Sequence, residues 1–182
     1  MKLFLRSILC SAVLCTFFSH VNAQQDFLVN SKNDTLKGEI KKQFIGFYRF
    51  KPEGSTSFNK IPLRETKEFY KAEKEINYLV KVRPDKRSPD FLQRLVKGKI
   101  DLFEYYRQSG NNQVDIVWYA SKENGELLEV KSNHIFGSRS DRQDRLYSLI
   151  SDKPELLAKF KKDDSYSFEA VKECIKLYNS TK

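Results

Sequence analysis

The segment VDIVWYASKENGELLEV, residues 114–130, places two apolar runs on either side of the dipeptide Asn124-Gly125. Asn-Gly favours a tight β-turn because both residues tolerate a positive φ angle. The flanking runs are rich in β-branched and aromatic residues, which is typical of strands. We therefore predict a β-hairpin in which Val114–Ala120 pairs with Leu127–Val130.

Towards the N-terminus, short apolar runs alternate with turn residues and predict a meander of antiparallel strands. Phe27–Val29 and Leu36–Ile40 flank a turn at residues 31–34 and form an opening hairpin. The apolar spacing within residues 91–96 fits a short helix, with a strand as the alternative. Further predicted strands are Phe44–Lys51, Thr56–Ile61, Glu68–Lys71, Ile76–Val82 and Ile100–Tyr106.

After Gly137 the apolar residues recur at helical spacing in three segments. Ser140 with Gln143, and Asp152 with Glu155, have capping-box spacing and predict the starts of the first two helices. Because each helix has a single apolar stripe to bury, we predict an α+β fold. In it an N-terminal antiparallel meander or small sheet precedes a C-terminal bundle of about three short helices. The stripes comprise Leu146, Leu149 and Ile150, then Leu156, Leu157 and Phe160, then Phe168, Val171, Cys174, Ile175 and Tyr178.

The N-terminus has the pattern of a secretory signal peptide. Lys2 and Arg6 precede an apolar run at residues 8–18, which is too short to span a bilayer. Small residues at the last and third-last positions of the leader suit signal peptidase, so cleavage after Ala23 is predicted.

Export divides the chain into a leader at residues 1–23, a β-rich domain at 24–137 and a helical region at 138–182. The mature protein would lie in the periplasm, at the cell surface or outside the cell, without a transmembrane segment. Lipid attachment at Cys15 is a weaker alternative because Leu14 stands where a lipobox requires a small residue.

The residue inventory argues against an enzyme. Cleavage would leave one cysteine, Cys174, and one histidine, His134, so we expect neither an internal disulfide nor a histidine-based metal site. No nucleotide-binding loop or nucleophile elbow is found. We predict no cofactor, no metal ion and no catalytic residue. The alternative is a small hydrolase whose carboxylates meet only in the fold, with Asp101, Glu104 or Asp115 as candidates.

The charge balance favours an anionic partner. The chain has 33 Lys and Arg against 24 Asp and Glu, a net charge of +9, and 17 of the basic residues lie between residues 24 and 98 against 10 acidic ones. We predict a non-enzymatic envelope protein that binds an envelope protein or an anionic extracellular polymer. Export excludes intracellular nucleic acid, and extracellular nucleic acid is a third possibility. The candidate binding residues are Arg49, Lys51, Lys81, Arg83, Lys86 and Arg87.

The octapeptide NDTLKGEI, residues 33–40, resembles the first hairpin of exported proteins of Bacteroidota whose activity is uncharacterised. Residues 98–105 and 175–179 are similar to that family as well, although Asn33 stands where glycine is more usual. The resemblance implies an envelope location and the family's fold, without an activity. It also implies O-glycosylation at Thr35, because Asp34-Thr35-Leu36 is similar to the acceptor triplet of such bacteria.

Overall fold

The structure is a computed structural model that describes residues 25–44, 47–108, 113–134, 137–163 and 165–181. The predicted signal peptide and its cleavage site at Ala23 lie outside the described residues. Within them, ten strands form one antiparallel sheet and three α-helices follow it. This arrangement confirms the predicted α+β class, with an N-terminal sheet and C-terminal helices. None of the helices in the described ranges has the length and apolar character needed to cross a membrane.

The sheet consists of two meanders joined side by side. Its strand order is β10-β9-β8-β7-β6-β5-β1-β2-β3-β4, so consecutive strands are neighbours except where β1 lies against β5. Short 3-10 turns at Leu63–Glu65 and Ala72–Lys74 precede and follow β5. The strands are β1 (Phe27–Asn30), β2 (Thr35–Phe44), β3 (Phe47–Pro52), β4 (Asn59–Lys60), β5 (Thr66–Lys71), β6 (Ile76–Val82), β7 (Pro89–Val96), β8 (Ile100–Gln108), β9 (Val114–Lys122) and β10 (Leu128–Ser132).

The predicted hairpins are present as β1–β2, β5–β6 and β9–β10. In the last of these, the positive φ angles fall on Glu123 (52°) and Asn124 (60°), so the turn is centred one residue earlier than the Asn-Gly pair. Residues 91–96 belong to strand β7 and not to a helix. Phe91 and Leu92 are both buried, and burial of both faces removes the alternation that identifies a strand.

The segment Phe44–Lys51, predicted as one strand, is divided between two. Phe44 is the last residue of β2, and β3 begins at Phe47 and pairs with β2. Ile45 and Gly46 lie outside the described residues. The predicted partner at residues 56–61 contributes only the two-residue strand β4, in which Lys60 pairs with Arg49.

The three helices are α1 (Arg139–Ile150), α2 (Pro154–Lys162) and α3 (Phe168–Ser180). The predicted caps at Ser140 and Asp152 are wrong. The Ser138 side chain caps α1 by accepting a hydrogen bond from the Asp141 backbone N–H at 3.1 Å. Helix α2 has no side-chain cap and begins with proline, which is favoured at the first position of a helix because it has no N–H to satisfy.

One face of the sheet carries two buried clusters. Gln93, Glu104 and Trp118 are directly paired across β7, β8 and β9, so they share this face. At the β7–β10 end the helices cover it and bury an apolar cluster that includes Trp118. At the other end the sheet curls, so that the Tyr48 ring of β3 lies 4.7 Å from the Phe69 ring of β5 and 5.6 Å from the Phe91 ring of β7. We call this end the curled half.

Candidate functional site: an aromatic–basic groove

A groove of about 400 Å³ opens on the curled half, where β3 and the segment after β4 approach the start of β7. The curl brings these elements together, since they are distant in the strand order. Aromatic and basic side chains dominate the lining, and we call the site the aromatic–basic groove. Its aromatic residues are Phe47, Tyr48, Phe91 and Tyr105, and its cations are Lys60, Arg64 and Lys86.

The aromatic side chains form the floor and rim of the groove. Tyr48 and Phe91 are buried and pack edge to face, with their ring planes at 87°. Burial raises the pKa of Tyr48 well above its usual range, so its hydroxyl remains neutral. Phe47 is 49% exposed and presents its ring to solvent. The groove therefore offers flat apolar surface to a ligand.

Two exposed cations stand on the wall of the groove. The Lys60 Nζ lies 4.9 Å from the centre of the Phe47 ring. Arg64 belongs to the 3-10 turn Leu63–Glu65 and is also exposed. Within the described residues, neither cation forms an ion pair, so their positive charges are uncompensated. Such a wall attracts anions.

Arg83 supports the groove from behind. It is 5% exposed, and its Nη1 and Nε lie 2.6 Å and 2.9 Å from carboxylate oxygens of Asp85 and Asp90. Its guanidinium carbon lies 4.2 Å from the centre of the Tyr105 ring. Burial opposes the charge, but hydrogen bonds with Tyr119 and Asp90 outweigh it and raise the pKa of Arg83. Arg83 therefore holds Tyr105 in place and is itself too buried to contact a ligand.

The other predicted binding residues are dispersed. Lys86 lines the groove and pairs with Asp90 at 3.2 Å, and Arg87 is exposed in the same loop. Lys81 does not line the groove, and its Nζ lies 5.6 Å from the centre of the Phe103 ring. Arg49 and Lys51 alternate with inward-facing residues of β3 and point outward. The structure thus gathers Lys86, and not the whole predicted set, into the groove.

Sequence reasoning missed Lys60 and Arg64. They flank the triplet Ile61-Pro62-Leu63, in which Ile61 is buried in the aromatic cluster of the curled half. The sequence signal for Lys60 and Arg64 is a pair of basic residues on either side of a short apolar segment. Their proximity to Phe91 and Tyr105 arises from the curl, which no local pattern reveals.

The acids of the alternative hydrolase do not converge. Asp101 and Glu104 lie on opposite faces of β8, and Asp115 shares the face of Asp101 because it is paired with Arg107. Arg107 is six residues along β8 from Asp101, so the two aspartates are about 20 Å apart at the rise of a strand. Glycosidase carboxylates need a separation of about 5 to 10 Å.

Each of these acids is also engaged within the protein. Asp101 accepts a hydrogen bond from the Gly98 backbone N–H at 3.0 Å, and Glu104 accepts one from the Trp118 indole at 3.0 Å. Asp115 lies 3.3 Å from an Arg107 nitrogen. In the described part of the chain, no group of three or more acidic, histidine or cysteine side chains is placed to hold a metal ion.

Thr35, the candidate glycosylation site, is the first residue of β2 and is exposed. The turn before it is well defined, because the Asn30 side-chain oxygen accepts hydrogen bonds from the Lys32 and Asp34 backbone N–H groups, both at 2.9 Å. Asn33 takes a φ angle of 70°. Glycine, the more usual residue at this position in the similar exported proteins, adopts this conformation without strain. The hairpin thus presents Thr35 at the surface.

The fold and the groove define an α+β protein whose curled antiparallel sheet is covered by helices at one end and has an open groove at the other. Comparison of the chain with protein-family models, curated proteins and solved structures found no match. The groove itself is therefore the basis for assigning a function.

Proposed function

We propose that this chain is an exported, non-enzymatic binding protein of the cell envelope, and that its aromatic–basic groove binds an acidic polysaccharide. One observation carries the proposal: Lys60 and Arg64, which form no ion pair in the described part of the chain, line an open groove together with the exposed ring of Phe47. The leader-like N-terminus and the basic composition support export and an anionic partner.

An acidic polysaccharide matches the groove in shape and chemistry. Its carboxylate or sulfate groups would pair with the two cations, which lie at the surface and need little desolvation. Its sugar rings present C–H faces that pack on aromatic rings such as Phe47. An open groove also allows the polymer to continue beyond both ends of the contact.

Binding without catalysis is favoured by the placement of the acids. Glu104 lies on the face that the helices cover, whereas Asp101 and Asp115 lie on the other face. The lining of the groove includes Asp90, whose carboxylate is already engaged by Arg83 and Lys86. The groove therefore has anion-binding groups without a free pair of carboxylates for general acid and base.

The test is titration of residues 24–182 with polygalacturonate, with neutral dextran as the comparison polymer. The variant Lys60→Gln/Arg64→Gln should lose about tenfold in affinity at low salt, because surface cations each contribute up to about 1 kcal/mol. The matched control is Lys159→Gln/Lys162→Gln on α2, which removes the same charge from exposed positions far along the chain. Wild-type affinity should fall as salt is added.

Two results would reject the polysaccharide: equal affinities of the groove variant and the α2 control, or equal binding of polygalacturonate and dextran. Export is tested separately by the intact mass of the protein from an envelope fraction. A chain that begins at Gln24 supports export, and a full-length chain in the cytoplasm contradicts it.

We also propose that Thr35 is O-glycosylated, since it is exposed at the start of β2 within the Asp-Thr-Leu triplet. The intact mass of the native protein should exceed that of Thr35→Ala by more than the residue difference. If both masses equal those of the unmodified chains, Thr35 carries no glycan.

A further inference from the structure

The β2–β3 hairpin extends past the end of the β1–β2 pairing, and there the Lys42 Nζ lies 5.8 Å from the centre of the Tyr106 ring of β8. Strand β1 pairs with β2 only from Thr35 to Lys37, and the Asp26 carboxylate reaches the Ile40 backbone N–H at 2.8 Å. Beyond Ile40, the described residues of β2 are paired with β3 alone. All four residues Lys41–Phe44 are exposed on both faces of the hairpin. We call Lys41–Phe44 with Phe47 the ribbon.

Two phenyl rings stand at the end of the ribbon. Phe44 is 68% exposed, Phe47 is 49% exposed, and the two residues are directly paired across the strands. Single exposed apolar side chains are ordinary on protein surfaces, but two exposed aromatic rings that are directly paired mark an interaction site.

Cations follow directly behind the rings. Residues 39–51 contain four basic residues and one acid, Glu39, whose carboxylate pairs with Lys41 at 3.0 Å and Lys51 at 2.9 Å. Lys42 lies over the Tyr106 ring, and neither Lys42 nor Arg49 forms an ion pair within the described residues, so residues 39–51 keep a net positive charge. Exposed aromatic rings next to a group of cations match a membrane interface, where aromatic residues lie at headgroup depth beside anionic phosphates.

We infer that the ribbon docks on an anionic lipid bilayer, with Phe44 and Phe47 entering the interface and Lys42 and Arg49 contacting lipid phosphates. A bilayer fits better than a protein because it offers anionic phosphates to the cations and an interface to the two exposed rings without requiring a matching cleft. This inference does not rest on the polysaccharide proposal, since Phe44 and Lys42 do not line the aromatic–basic groove.

The test is co-sedimentation of residues 24–182 with vesicles of phosphatidylglycerol and phosphatidylcholine, compared with vesicles of phosphatidylcholine alone. The wild type should bind the anionic vesicles more strongly. Phe44→Ser should weaken binding about tenfold because the ring no longer leaves water. Lys42→Gln/Arg49→Gln should weaken it at least about tenfold at low salt, since each cation near an anionic surface contributes about 1 kcal/mol, equivalent to a fivefold change.

Matched controls separate the ribbon from general effects. Leu36→Ser removes another exposed apolar side chain, 43% exposed, from the opposite end of the same strand. Lys159→Gln/Lys162→Gln removes two exposed charges from α2. Both controls should bind anionic vesicles as the wild type does. An Arg64→Gln variant should lose polysaccharide affinity and keep vesicle binding, so failure of one proposal is distinguishable from failure of the other.

Insertion of the ribbon into the bilayer can be measured separately by tryptophan fluorescence. Phe44→Trp should be quenched by brominated lipid in anionic vesicles beyond the level of the parent chain, whose single tryptophan, Trp118, is buried. The inference is overturned if the wild type does not bind anionic vesicles, or if Phe44→Ser binds them as well as the wild type does. Capture of a protein by a photocrosslinker at position 44, with no vesicle binding, would overturn it in favour of a protein partner.

Discussion

Removal of the Asp26 carboxylate is expected to destabilise the junction of β1, β2 and β5. The Asp26 side chain is 10% exposed. Its Oδ2 accepts hydrogen bonds from the Ile40 backbone N–H and from the Lys71 Nζ, both at 2.8 Å, and its Oδ1 accepts one from the Ala72 backbone N–H at 2.8 Å. One carboxylate therefore ties the base of the ribbon to the end of β5.

The size of the effect follows from what Asp26→Ala leaves behind. Lys71 is 16% exposed and would lose its counter-charge, while two backbone N–H groups would lose their acceptor. Removal of one partner of a buried ion pair costs about 3–5 kcal/mol. Lys71 keeps a hydrogen bond to the Ile40 carbonyl at 2.5 Å, so we expect the lower end, about 3 kcal/mol. That is a large part of the 5–15 kcal/mol typical of a domain.

Urea denaturation of residues 24–182, followed by Trp118 fluorescence and circular dichroism, measures this loss as a shift of the midpoint at constant slope. In a double-mutant cycle, Asp26→Ala/Lys71→Met should lose less than the sum of the single variants, because no unpaired charge remains buried. Glu39→Ala is the matched control, since Glu39 also pairs with lysines but at the surface. A free-energy loss for Asp26→Ala no larger than that for Glu39→Ala would refute the reasoning.

Three further outcomes are expected. Asn179→Ala should lower the free energy of unfolding in urea by about 2 kcal/mol. The Asn179 amide oxygen accepts a hydrogen bond from the N–H of buried Ile100 at 2.9 Å, and the amide nitrogen donates one to the Ile100 carbonyl at 2.8 Å. An unchanged midpoint would show that α3 is held by apolar packing alone. A hydrogen bond from Lys122 lowers the pKa of Asp152 from 3.8 to about 2, so its contribution to stability is complete above about pH 4 and disappears as the pH falls towards 2. The stability difference between the wild type and Asp152→Asn should therefore narrow over that range, and a constant difference would contradict the assignment. Burial raises the pKa of Cys174 to about 11. The thiol should therefore react with Ellman's reagent far more slowly in the native protein than in the urea-unfolded protein. Equal rates would contradict its burial.

Local signals in the sequence predicted most of the strands. The hairpins β1–β2 and β9–β10 depend on turns whose residues are adjacent in the chain, so their composition predicts them. Even there the position of the turn in β9–β10 shifted to Glu123 and Asn124. The Asn-Gly pair identifies the hairpin, but pairing of Leu128 with Ala120 decides which residues are central.

The residues that begin each helix were harder to predict than the apolar residues that each helix buries. The buried residues of α3 follow the predicted stripe at Val171, Cys174, Ile175 and Tyr178. The capping-box pattern at Asp152 competes with Pro154, which begins α2, and the Asp152 carboxylate is instead 2.8 Å from the Lys122 Nζ. A polar residue near a helix start can serve either as a cap or as a partner for the sheet, and the sequence contains no signal to distinguish them.

The groove could not be predicted because it depends on the curl of the sheet. At Gly38 a Cβ atom would lie 2.2 Å from the Lys51 carbonyl oxygen and 2.6 Å from the Phe50 ring. The absence of a side chain at this position lets Phe50 lie over β2 on the concave face. Gly38 is visible in the sequence, but no local pattern reveals that Phe50 packs over it or that Tyr48 meets Phe91, which is far away in the chain.

The edges of the sheet explain why both proposals concern the curled half. At the β10 edge, the Glu129 carbonyl accepts a hydrogen bond from Arg145 at 3.2 Å, and the Val130 carbonyl accepts one from the Tyr166 hydroxyl. Side chains of the helical region therefore occupy groups that another strand would need. At the opposite edge β4 has two residues and borders the groove through Lys60. Because the helices close the β10 edge, both proposals concern the exposed rings and the cations of the curled half that form no ion pair within the described residues.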